Sequence, residues 1–101
     1  MDKVYIVMVE EKTFYFTNGT VSSIDNNHIL DKRIFTTKKE ANDFAMSSVS
    51  SIIKNHVGKH YESQDDNHAY VALLDERNRM KSSFNFKVQE LFIHIDRCNP
   101  S

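Results

Sequence analysis

Glycine and proline are almost missing from this chain: two glycines and one proline stand among 101 residues. So few breakers leave no room for a flexible linker, and none for a glycine-rich loop that brings backbone amides around a phosphate. The single cysteine, Cys98, excludes an internal disulfide framework and a cysteine-based zinc site. With only Arg97 beside it as a cation, Cys98 reads as an inert thiol, and an intracellular, reducing compartment fits this cysteine usage. Excess charge is missing too, with 13 Lys+Arg against 14 Asp+Glu. That balance removes whole-molecule attraction to nucleic acid, and equally the dense carboxylate array of a DNA mimic. Long apolar runs are absent: "VYIVMV" is too short for a signal-peptide core or a membrane span. The expectation is a soluble cytoplasmic protein without membrane contact, built as one domain over 1–101 that buries roughly two-thirds of its unfolded surface. Repeats and low-complexity tracts are not found.

What is present is apolar patterning. Residues 4–10, "VYIVMVE", are apolar on both parities, the pattern of a central strand covered on two sides. A polar "EEK" precedes "TFYFT", which predicts a hairpin back onto the first strand. Asn18-Gly19 supplies the positive φ angles of a two-residue turn, and "TVSSI" returns as a third strand. "DNNH", 25–28, predicts another turn, and "HILDKRIFT" a short edge segment ending at Phe35.

Thr37 followed three residues later by Glu40 is a capping box, and it predicts a helix over 38–57. Ala41, Ala45, Val49, Ile52 and His56 fall on one stripe flanked by Phe44 and Ile53, while Asp43, Ser47, Ser50, Ser51 and Lys54 oppose them. Gly58 is the expected helix stop. Residues 61–68 follow as a polar loop, then "AYVALLDE" as an internal strand, a charged turn "DERNRMKS", and a strand from Phe84. In that last strand the apolar parity changes after Val88 to Leu91, Ile93 and Ile95, which predicts a bulge or a break near Gln89-Glu90. The fold class is α+β: an antiparallel sheet of five to six strands, three or four of them before the helix, with one helix on one face.

Chemistry is concentrated in "NHVGKHYESQDDNH", residues 55–68. His56 and His60 have the spacing of a helical zinc pair, and Asp65, Asp66 and His68 could complete a site if the segment folded back. Against this, Val57 stands where the catalytic version carries its glutamate base, and Gly58 separates the two histidines. The competing reading ties His56 to a backbone group at the end of the core stripe and leaves His60 and His68 to solvent; no metal or other cofactor is then expected. No serine sits in a G-x-S-x-G elbow, and the acidic pairs Glu10-Glu11 and Asp75-Glu76 lie at expected turns rather than across a cleft. No catalytic residue is therefore expected.

"RNRMKSSFNFK", 77–87, sets Arg77, Arg79 and Lys81 beside Phe84 and Phe86, a degenerate likeness to an RNA-recognition strand. Single-stranded nucleic acid is thus an alternative ligand, zinc at 56–68 a second. The rings equally suit a core.

The succession of "KVYIVMVEEKTFYF", an edge segment and "IFTTKKEANDFA" opening a helix resembles small accessory proteins of bacteriophages and other mobile elements, a group that includes anti-CRISPR proteins. The resemblance implies a non-enzymatic inhibitor that binds a host enzyme or defence complex in the host cytoplasm. Small sheets expose edge strands that invite a partner or a second copy, so a homodimer is a compatible expectation. Tyr and Arg carry disproportionate binding energy. The expected contact residues are Tyr5 and Tyr15, if they lie on the sheet face away from the helix, and the charged turn Arg77, Arg79 and Lys81.

Overall fold

The computed structural model describes residues 2–31 and 33–94. Its elements run β1 (Asp2–Thr17), β2 (Thr20–Leu30), α1 (Lys38–Lys54), β3 (His60–Asp65), β4 (His68–Leu74) and β5 (Met80–Ile93). All neighbours pair antiparallel, in the spatial order β2-β1-β5-β4-β3. The α+β class and a single helix on an antiparallel sheet are as expected, but among the described residues two strands precede the helix and three follow it.

Two expected turns are not turns. "EEK" lies inside β1, which runs unbroken for sixteen residues, and "DNNH" lies inside β2. Their register explains both. Asn26 faces Lys12, Asn27 faces Glu11 and His28 faces Glu10, so the polar centre of one strand is matched to the polar centre of the other. Turn-forming composition yields here to a ladder that satisfies the same groups. Asn18-Gly19 does turn the chain, at φ 54° and 81°. Beyond β2, Phe35 touches β1 again through a bridge to Tyr5; Lys32 of the expected edge segment lies outside the described residues.

The helix begins as its capping pattern dictates, with Thr37 Oγ1 accepting from the Glu40 amide at 3.2 Å. It ends at Lys54, three residues short of the expected end at 57: the His56 amide turns back to the Ile53 carbonyl at 3.1 Å and Asn55 caps the end. Gly58, at φ +129°, serves the following bend instead. The stripe Ala41, Ala45 and Val49 is buried, and Phe44, Ile52 and Ile53 pack beside it. Ala41 and Ala45 let α1 lie close on Val7, Ala69, Val71, Phe86 and Val88 of the sheet.

Residues 61–68 are a hairpin rather than a loop. β3 pairs along β4 from His60–Leu73 to Asp65–His68, and Asp65 Oδ1 accepts the Asn67 and His68 amides to close the turn. An edge strand needs no apolar side chain when both its faces meet water, which is why β3 carries a polar sequence.

No bulge or break interrupts β5 at Gln89-Glu90. The β1–β5 ladder is continuous from Asp2–Ile93 to Thr13–Ser82. Residues directly opposite in such a ladder share a face, so Val7 with Val88 and Val9 with Phe86 face α1, while Val4 with Leu91 and Asp2 with Ile93 face the other way. The parity change marks a change of face. Ile95 lies outside the described residues, as do Arg97 and Cys98.

Candidate functional site

The sheet face away from α1 carries no covering element among the described residues, and it is not polar throughout. Val4, Ile6 and Met8 of β1 adjoin Leu91 and Ile93 of β5. Met8, Leu91 and Ile93 are 39–43% exposed. A groove of about 510 Å³ opens beside this cluster, lined by Ile6, Met8, Glu10, His28, Asn85 and Lys87 among others. Here β1 shows why it is apolar on both parities. Val7 belongs to the helix core, and Ile6 and Met8 belong to a face open to solvent.

Across the middle of the open face runs a polar band. Glu10 stands 3.7 Å from Lys12 and 3.5 Å from His28 Nε2. Beyond it a second apolar group gathers, with Phe14 opposite Ile24 and Phe16 opposite Val21. The Arg79 guanidinium lies 4.3 Å from the Phe16 ring centroid, and its Nε donates to Asp75 Oδ2 at 2.9 Å. Asp75 also accepts the Arg77 and Arg79 amides. The Arg79 amide is the largest influence holding the Asp75 carboxyl below its usual range; desolvation opposes it, and the Arg77 amide and the Arg79 guanidinium add to the lowering.

The expected contact residues are scattered by this architecture. Tyr5 and Tyr15 share the parity of Val7 and so point to the helix side, not to the open face that contact through them requires. Tyr5 packs on the core while its backbone exchanges two hydrogen bonds of 2.8 Å with Phe35. Tyr15 lies further along β1, half exposed, and its phenol is raised by hydrogen bonding to Asp25 and by the charge of that carboxylate. Arg79 reaches the open face. Arg77 and Lys81 are exposed on a cleft of about 580 Å³ shared with His56, Leu74 and Asp75.

The histidine cluster is divided. His56 Nε2 lies 3.1 Å from the Leu74 carbonyl and 3.2 Å from that of Lys59. Two acceptors require that this nitrogen carry the proton, which takes it out of metal ligation. His60 and Asp65 sit at opposite ends of β3, roughly 16 Å apart along the strand. His68 stays with Asp65, its Nδ1 3.6 Å from that carboxylate. Extended pairing with β4 therefore separates His56 and His60 from Asp65 and His68, so the segment lacks the fold-back that the alternative zinc site at 56–68 requires. Among the described residues no group of three His, Cys, Asp or Glu could hold a metal. Phe84 and Phe86 turn toward α1, with Phe86 buried and Phe84 packed against the core, so neither ring offers a stacking face to a base.

The sequence reading missed Leu91 and Ile93 as surface groups and treated Ile6 and Met8 as covered. Their signals are the parity change in β5 and the double-parity pattern in β1, which a bulge in the backbone or a two-sided core would equally produce. Among the described residues no helix is long and apolar enough to cross a membrane. No family model, curated protein or solved structure matches the chain.

Proposed function

We propose that the chain is a non-enzymatic protein-binding module, an antagonist of a host enzyme or defence complex of the kind the phage-protein resemblance implies, acting in the cytoplasm through the helix-free face of its sheet. One observation carries this reading: Val4, Ile6, Met8, Leu91 and Ile93 form a contiguous apolar cluster on a face that no described element covers. Clustered exposed apolar groups beside polar ones mark interaction surfaces, whereas isolated ones do not. The polar band Glu10-Lys12-His28 and the Phe16-stacked Arg79 give the surface a charged border and an arginine anchor.

The test is affinity purification from the native host with the wild-type chain and with the double variant Met8→Lys, Leu91→Lys. Loss of a stoichiometric partner from the variant, with its melting temperature kept, supports the proposal. Retention of that partner overturns it. Nucleic acid is the weaker reading, since Phe84 and Phe86 are spent on the core; it requires binding to single strands that falls steeply with salt.

A further inference from the structure

We infer that the β2 edge is a self-association site, through which two copies of this chain join their sheets into one. Among the described residues β2 has β1 on one side and no strand on the other. It runs eleven residues, and every residue from Thr20 to Ile29 is exposed. Long edge strands are ordinarily guarded by lysine, proline or brevity. β2 has no Lys, Arg or Pro, and Asp25 is its single carboxylate. The opposite edge, β3, has six residues and carries Glu62 and Asp65. One edge is guarded and the other is not.

The hydrogen-bonding groups on that edge can be assigned. Tyr5 exchanges both backbone bonds with Phe35, and the Val7 carbonyl accepts from Asp31, so the odd residues of β1 direct their polar groups toward the β2 side. Asp25, Asn27 and Ile29, opposite Thr13, Glu11 and Val9, therefore spend theirs on β1. Ile24, Asn26 and His28 aim theirs outward.

A second copy fits those groups. Two β2 strands can pair antiparallel about a two-fold axis perpendicular to the sheet, which keeps both helices on one side. Centred on Asn26, the pairing sets Ile24 against His28 of the other copy and Asn26 against its equivalent, with each outward N–H meeting an outward carbonyl. It also sets Asp25 against Asn27. A register centred on Asp25 would oppose the two carboxylates instead. The near-neutral chain, 13 cationic against 14 anionic residues, brings little long-range repulsion to the approach. The resulting sheet places both helix-free faces on one side, a consequence that does not depend on what those faces bind.

The full chain is tested by sedimentation and by cross-linking. The wild type is expected to sediment as a dimer, and Ile24→Lys with His28→Lys to weaken dimerisation at least about tenfold. In a Cys98→Ser background, Asn26→Cys should form an intermolecular disulfide on mild oxidation, because opposed Cα atoms in a hydrogen-bonded pair lie about 5.5 Å apart, within disulfide reach. Ser63→Cys on β3, the opposite edge, should form no intermolecular disulfide under the same oxidation. A monomeric wild type overturns the inference, and so does a dimer untouched by the double lysine variant or cross-linking of Ser63→Cys as fast as Asn26→Cys. Because these readouts need no host partner, they fail or succeed separately from the proposed function.

Discussion

Val4 stands directly opposite Leu91 in the β1–β5 ladder, on the side of the sheet that α1 leaves open, while Val7, opposite Val88 in the same ladder, is fully buried beneath the helix. Two valines three residues apart thus have different duties. Val7→Ala should cost roughly 1.5–3 kcal/mol, from lost burial and the cavity left behind. Leu91→Ala should change stability by about 0.5 kcal/mol or little more. Urea denaturation of both variants checks the contrast, and equal losses would refute the assignment of faces.

The cap of α1 rests on one side-chain bond, Thr37 Oγ1 to the Glu40 amide. Thr37→Ala should lower stability by about 1 kcal/mol, and Thr37→Ser should keep most of it. Denaturation midpoints of the two variants decide this.

Gly58 has φ +129°, and a Cβ there would lie 3.3 Å from His56 Nε2 and 3.5 Å from the Leu74 carbonyl. Gly58→Ala should therefore destabilise by more than about 1 kcal/mol, through backbone strain and displacement of the imidazole. Gly19→Ala, at φ +81° with nothing within 4 Å, meets the backbone penalty alone and should cost less. Thermal melts of the pair separate the two effects.

Asp75 makes the turn between β4 and β5 sensitive to acid. Its carboxyl is held below the ordinary value of 3.8, chiefly by the Arg79 amide, with help from the Arg77 amide and the Arg79 guanidinium. A lowered pKa means that the native fold favours the ionised form, so the contribution is present above the ordinary value and is lost as pH falls from there through the lower native one. Asp75→Asn should melt below the wild type at neutral pH, and the gap should close under acid. A gap that stays constant down to pH about 2 would contradict this linkage.

Local chemistry made much of the fold legible. The Thr37–Glu40 spacing marked the start of α1, the Ala41-Ala45-Val49 stripe identified its buried side, and Asn18-Gly19 named its own turn. Composition misled where pairing decides. Asp25 to His28 look like a turn until they stand opposite Glu10 to Thr13, and His60 to Asp65 look like a loop until β4 supplies their hydrogen bonds. The expected contact residues separate for a similar reason: parity within β1 places Tyr5 and Tyr15 with Val7, whereas Arg79 is carried by the β4–β5 turn to Phe16.

By itself the sequence determined the α+β class, the helix and its inward stripe, and the near-neutral charge, because capping, turn chemistry and helical periodicity act over a few neighbouring residues. Only the tertiary structure decided what the double-parity apolar strand and the parity change in β5 mean. A strand's alternation says that two faces exist, but what covers each of them depends on elements distant in the chain. One helix covers one face, and the unbroken β1–β5 register sends Val4, Ile6, Met8, Leu91 and Ile93 to the other.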